Sequence, residues 1–125
     1  MHDVYWMEHV DKNNTAHYDY SGLLYLTTID DDFTGGMFEF VTEVHDEKGE
    51  LADFELDEAV APKAGRLISF TAGNENPHKV NLVKGGTRFV LSFWFTCDTS
   101  MKFGSFLDGS AHKQYQNEGH AEGEL

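Results

Sequence analysis

The sequence predicts an all-β domain, either a sandwich or a barrel. Three observations carry that reading. Short apolar runs recur along the chain, several of them alternating with polar residues. Turn-forming clusters separate them: Asp30-Asp31-Asp32, Gly35-Gly36, Gly73-Asn74-Glu75-Asn76-Pro77 and Lys84-Gly85-Gly86. No long amphipathic helical period is visible, so the layers must come from sheets.

Taken in order, the first strand is expected over Val4 to Asp11, where Tyr5, Met7, His9 and Asp11 share one face. Strands are then expected over Gly22 to Thr27, Gly36 to Val41, Gly65 to Thr71, His78 to Val83 and Thr87 to Thr96. Residues 43 to 60 carry Glu43, Asp46, Glu47, Glu50, Asp53, Glu55, Asp57 and Glu58 and read as a solvated loop. The alternative for that stretch is a rim that attracts basic substrates. Gly35-Gly36 reads as a place where two backbones approach closely. After Asp98 the chain turns polar and Gly-rich. The domain is expected to span 1–107, with 108–125 a disordered tail that includes His112 and His120.

Bulk properties narrow the function. The 125 residues allow one small domain, and ten Phe can build its core. A formal net charge of −13, with no basic stripe, argues against nucleic acid as a partner. The acidic surface suits solubility or a basic substrate equally well. Cys97 stands alone, which excludes an internal disulfide, and it reads as a small inert core residue. No apolar run approaches the length of a membrane span, and no signal peptide or internal repeat is visible.

The chemistry begins with a doubled pattern, His9-Val10-Asp11 and His17-Tyr18-Asp19. A His and an Asp two apart on a strand offer a metal one nitrogen and one oxygen from the same face. Adding a distant His gives two imidazoles and one carboxylate, the facial set of non-haem Fe(II) oxygenases, with three coordination positions open. His78 can supply that third ligand, and from the residues alone either copy can supply the first two. "HKVNLVKGGTRFVLSFW" then reads as a hairpin turning near Lys84-Gly85-Gly86. With Leu82 opposite Arg88, the residues His78, Val80, Arg88, Val90, Ser92 and Trp94 share a face. His78 and Arg88 would lie ~13 Å apart, a gap that a small dicarboxylate and an Arg side chain can fill together.

From His9 to Phe95 the chain resembles the prolyl-4-hydroxylase-type family of 2-oxoglutarate- and Fe(II)-dependent oxygenases. The resemblance is carried by "HVDK", "SGLLYL", "DDFTGGMFEF", "PKAGRLISF", "NENPHKV" and "GTRFVLSFWFTCD", in that order. Within the family it is most similar to the oxygenase-domain-containing protein 3 branch and the collagen prolyl 3-hydroxylase (leprecan) branch. The resemblance implies a double-stranded β-helix, or jelly roll. It also implies a strand and supporting helices before His9 that this chain, with eight residues there, is expected to lack. In the family a loop separates His-x-Asp from a strand bearing a Tyr that binds 2-oxoglutarate, here Tyr25. His9 leaves room for the loop, whereas His17 and Tyr25 would share one strand, ~26 Å apart. The resemblance therefore assigns Fe(II) to His9, Asp11 and His78, and leaves His17 and Asp19 on the rim. It implies that Arg88 pairs with the far carboxylate of 2-oxoglutarate, that Tyr25 hydrogen-bonds to it, and that Ser92 and Trp94 line the pocket beside apolar walls at Val80 and Phe38. Plain core packing is the competing role for Trp94, Val80 and Phe38, and a surface strand position the competing role for Arg88.

The activity implied is hydroxylation of a peptidyl residue, proline being one candidate, with 2-oxoglutarate oxidised to succinate and CO2 and with ascorbate as a further cofactor. Implied partners are O2 and a protein or peptide substrate. The endoplasmic reticulum or its membrane is the implied location. Two rival readings are a cupin-like metal enzyme of other chemistry, which would need neither Arg88 nor Tyr25, and a truncated, inactive interaction module. Finally, Leu24, Leu26, Phe89, Leu91, Phe93 and Phe95 alternate with pocket-facing residues, so they are expected to form an outward apolar patch that promotes self-association or holds a partner.

Overall fold

The computed structural model describes residues 7–101. Its strands are β1 (Tyr20–Tyr25), β2 (Phe33–Gly35), β3 (Phe38–His45), β4 (Leu51–Val60), β5 (Leu67–Thr71), β6 (His78–Val80), β7 (Val83–Gly86) and β8 (Val90–Phe95). A single helical turn, α1 (Asp11–Asn14), precedes them. β1 lies between β5 and β8, β3 lies between β4 and β6, and β2 pairs with β7. All of these pairings are antiparallel. The chain crosses repeatedly between the two three-stranded sheets, which is the winding of a jelly roll, the class expected from the sequence.

Aromatic rings fill the space between those sheets. Phe70 of β5 meets Phe38 and Phe40 of β3 at ring separations of 5.6 and 5.2 Å. Tyr25 and Phe38 are sealed from solvent, with relative exposures of 0% and 1%. Phe33, Val41 and Ala72 are also buried.

Two expectations about strand pairing and loops fail for physical reasons. The acidic stretch 43–60 is not a loop but most of the β3–β4 hairpin, closed by a turn in which Asp46 Oδ1 accepts the N–H groups of Lys48 and Glu50. β4 is an edge strand exposed along most of its length, so its charges stay hydrated and cost little. The expected hairpin of His78–Val83 with Thr87–Thr96 also does not form. β6 pairs with β3, β7 with β2 and β8 with β1, so Leu82 does not face Arg88. Asn81 N–H donates to the Met37 carbonyl and Gly36 N–H donates to the Leu82 carbonyl, which holds this segment against the chain around Gly35-Gly36. Gly35 (φ 73°) makes the crossing feasible, because a Cβ there would lie 2.1 Å from the Leu82 carbonyl oxygen. The close approach expected at Gly35-Gly36 is thus present.

The outward side of the β5-β1-β8 sheet is apolar, as expected. Leu26, Phe89, Leu91 and Phe95 are each more than half exposed, and Leu67 of β5 extends the patch. Leu24 and Phe93 are half-buried. The Phe93 ring lies across Gly22, where an added Cβ would meet it at 2.1 Å.

The chain divides into two compact units, Met1–Phe95 and Thr96–Leu125. All eight strands belong to the first. In the second, Asp98 caps a turn by accepting the Ser100 N–H and hydroxyl at 2.9 and 2.6 Å. Cys97 is exposed, contrary to its expected place in the core, because β8 ends at Phe95 and no strand carries Cys97 inward. The tail expected over 108–125 and the start of the strand expected over Val4 to Asp11 fall outside the described residues.

Candidate metal centre

His9 and His78 face each other as an antiparallel bridge, each donating its N–H to the other's carbonyl at 2.9 Å. Residues so paired project their side chains to one side. The two imidazoles therefore stand 4.3 Å apart, centroid to centroid. Val10 is buried and extended (φ −120°, ψ 127°), and it carries the chain to Asp11, the first residue of α1. Asp11 is thus not in the strand expected over Val4 to Asp11, but one extended residue still brings its carboxylate to the same side as His9.

Each imidazole is oriented from behind. Nδ1 of His9 donates to the Met7 carbonyl and Nδ1 of His78 donates to the Asn76 carbonyl, both at 2.9 Å. That fixes the orientation of each ring and leaves its Nε2 facing the site. Both Nε2 atoms are turned towards Asp11 Oδ1, at 3.4 Å from His9 and 3.3 Å from His78. Ligand atoms of the three residues lie within 4.8 Å of one another. His78 is buried, and its ring stacks on Phe38 at 5.2 Å. Burial pushes the Asp11 carboxyl upward, but hydrogen bonds from His78, His9 and Ser21 outweigh it and hold the group well below the usual carboxylate range. Asp11 is an anion at any physiological pH, as a metal ligand must be.

The three residues line a cleft of ≈ 290 Å³. Phe38, Val80, Val90, Ser92 and Trp94 line it, and so does Arg88. The pocket-facing set expected from the sequence therefore does share one space, although its members come from two sheets rather than one hairpin. Arg88 lies beside Tyr25, its guanidinium carbon 5.6 Å from the ring centroid. The Tyr25 hydroxyl and Arg88 Nε are buried without a hydrogen-bond partner among the described residues. Burial raises the Tyr25 phenol above its ordinary value, against the opposing pull of Arg88. Tyr25 is thus a neutral donor. Two unpaired buried donors side by side need an acceptor, and a ligand carboxylate is of that kind.

The second His-x-Asp copy does not join the metal group. His17 packs its ring edge on Tyr18 at 5.2 Å, and Asp19 pairs with Lys12 at 3.1 Å. The sequence reading did not single out Ser21, whose hydroxyl donates to Asp11 Oδ2 at 2.6 Å. Alternation back from Tyr25 through Leu23 would have placed Ser21 on the pocket face. It also did not single out Phe70, which packs on His78 at 4.9 Å.

The fold and this arrangement define a metal-binding jelly roll with a cationic wall in its cleft. The match to known proteins agrees: residues 2–96 fit the model of the 2OG-Fe(II) oxygenase superfamily, and the chain belongs to that family. The family's cofactor and cosubstrate are Fe(II) and 2-oxoglutarate, and the donor set of His9, Asp11 and His78 fits Fe(II). The chain is similar to 2-oxoglutarate and iron-dependent oxygenase domain-containing protein 3 of Xenopus tropicalis, 39% identical over 103 residues (82% of this chain, 29% of the relative). The Homo sapiens protein of the same name is 40% identical over 97 residues (78% and 27%). Prolyl 3-hydroxylase 2 of Homo sapiens is 48% identical over 80 residues (64% and 10%). The chain thus spans less than a third of the length of these relatives. No helix among the described residues is long and apolar enough to cross a membrane.

Proposed function

We propose that this chain is the core of an oxygenase that binds Fe(II) through His9, Asp11 and His78, anchors 2-oxoglutarate at Arg88 and Tyr25, and hydroxylates a peptidyl residue. The observation that carries the reading is the cleft itself, lined by two converging imidazoles and a carboxylate and also by Arg88, beside which lies the buried, unpaired Tyr25 hydroxyl. When bound, iron and 2-oxoglutarate supply the activation of O2, with oxidation of the keto acid to succinate and CO2. The chain's own part is positional. The Nδ1 hydrogen bonds fix both imidazoles and Asp11 stays ionised between them. Arg88 offers a two-pronged charged donor, Tyr25 a neutral one, and Phe38, Val80 and Phe70 keep the cleft apolar.

Proline is the residue to test first, because similarity extends to proteins named prolyl 3-hydroxylase 2. The decisive measurement is succinate release by the purified chain supplied with Fe(II), 2-oxoglutarate and O2, with and without proline-containing peptides. Release by the native chain that disappears in Asp11→Ala supports an oxygenase. Release stimulated by a proline peptide and not by its alanine counterpart supports the substrate class. A chain that binds iron and 2-oxoglutarate yet releases no succinate with any peptide sinks the catalytic reading.

We also infer that the apolar patch of Leu24, Leu26, Leu67, Phe89, Leu91, Phe93 and Phe95 is covered in the working protein, by a second copy or by a partner. Its support is the exposure of large side chains on neighbouring strands.

A further inference from the structure

Two features remain outside this scheme: the second His-x-Asp copy, and the pair of donors on the far oxygen of Asp11. We propose that Ser21 and Trp94 are positioning residues that hold Asp11 to a single metal-facing oxygen, that Tyr18 of the second copy braces Trp94, and that its Asp19 holds Lys12, the residue next to Asp11. The proposal rests on the iron-binding reading above.

The two oxygens of Asp11 have divided surroundings. Oδ1 faces both imidazoles. Oδ2 accepts the Ser21 hydroxyl at 2.6 Å and the Trp94 indole N–H at 3.4 Å. Ser21 is 2% exposed, so its hydroxyl has no solvent to turn to if the carboxylate rotates. Presenting both oxygens to a metal would leave that buried donor unpaired. Coordination numbers show why the division matters. On a six-coordinate metal, two imidazoles and one carboxylate oxygen would fill three positions, and a chelating keto acid would need two of the remaining three. A carboxylate bound through both oxygens would fill a fourth and leave no place for O2 once the keto acid is bound.

The second copy secures this arrangement from two directions. The Trp94 ring lies parallel to that of Tyr18, 5.1 Å away and 10° from coplanar, which fixes the direction of its N–H. Lys12, next to Asp11 in the chain, is tied to Asp19 at 3.1 Å. The pattern that does not reach the metal thus fastens the residue that does.

Co(II) is the probe, because its visible absorption depends on coordination number and it reports without turnover. The full chain is loaded with Co(II), its spectrum is recorded, and 2-oxoglutarate is titrated. The native chain is expected to bind one Co(II) and to change its spectrum with 2-oxoglutarate. Ser21→Ala is expected to keep Co(II), to show an altered spectrum before any 2-oxoglutarate is added, and to bind 2-oxoglutarate about tenfold or more weakly. Ser21→Thr, which retains the hydroxyl, is expected to restore both. Trp94→Phe keeps a ring over Tyr18 and loses only the N–H, so a smaller shift in the same direction is expected. It also decides the question if circular dichroism shows that Ser21→Ala is unfolded. Spectra and 2-oxoglutarate affinities equal to the native chain in both variants would overturn the proposal and leave the iron reading standing. Loss of Co(II) from a folded Ser21→Ala would overturn it too, by showing that Ser21 is needed for binding as such. A native chain that binds no Co(II) would remove the iron reading and this proposal together.

Discussion

Arg88→Ala is the sharpest single perturbation of the cleft. Arg88 is half-buried, its Nε is closed to solvent, and its neighbour Tyr25 is fully buried. A carboxylate bound there trades its hydration for the guanidinium fork. Removing the fork leaves the anion desolvated and unpaired, a loss of about 2–5 kcal/mol. That corresponds to a rise in Kd of about 30-fold to several thousand-fold. Tyr25→Phe deletes one neutral donor and should cost about 1 kcal/mol, or roughly fivefold. Arg88→Lys, which keeps the charge and loses the two-pronged geometry, should fall between them. Calorimetric titration of the metal-loaded chain without O2 measures all three. Pyruvate provides an internal control, since it shares the keto-acid end and lacks the far carboxylate, so its affinity should be the same for the native chain and Arg88→Ala. Unchanged 2-oxoglutarate affinity in Arg88→Ala would refute the reasoning. So would an equal loss for pyruvate, which would mean that the substitution damages the site generally.

Three further outcomes are expected. His9→Ala, Asp11→Ala and His78→Ala should each abolish stoichiometric metal binding by equilibrium dialysis, whereas His17→Ala should leave it intact; the opposite pattern would assign the metal to the second copy. Metal affinity should fall as pH drops, because protons compete for Nε2 of both histidines while Asp11 is held ionised well below the usual carboxylate range. Gly35→Ala and Gly49→Ala both force a side chain into a left-handed conformation at about 1–2 kcal/mol, but only Gly35 also meets a backbone oxygen, so chemical denaturation should show a clearly larger loss for Gly35→Ala and equal losses would contradict the crossing described here.

Much of this molecule can be read from the chain because its information is local. His9, Asp11, His78, Arg88 and Tyr25 are residue types whose chemistry is legible one at a time, and alternation gives their faces. Strands β1, β3, β5 and β8 were expected within a few residues of their observed limits. β4 was not, because a strand exposed along an edge needs no apolar face, and its acidic composition matches that of a loop. The anchoring of the imidazoles by the Met7 and Asn76 carbonyls was not legible either, since every residue has a carbonyl and only the fold selects which ones point at a ring.

The hairpin error is the most instructive case. Placing Leu82 opposite Arg88 was wrong, yet it put His78, Val80, Arg88, Val90, Ser92 and Trp94 into one pocket, and the structure does the same. The reason is geometric. In a hairpin these residues would share a face of one sheet. In the jelly roll β6 and β8 lie in opposite sheets, and the same residues point inward from two walls. Alternation fixes which residues face the pocket within each strand but says nothing about which strand lies beside which. Partner choice is set by long-range contacts, here Phe40 with His78 and Leu24 with Leu91. A pocket between two sheets is therefore more legible than its topology, because inward-facing residues of both walls meet in the same space whatever the pairing. The same logic exposes what a wrong pairing hides. The register of β1 on β8 sets Ser21 directly opposite Trp94, and both reach one oxygen of Asp11, a contact that pairing the final strand with His78–Val83 does not reveal.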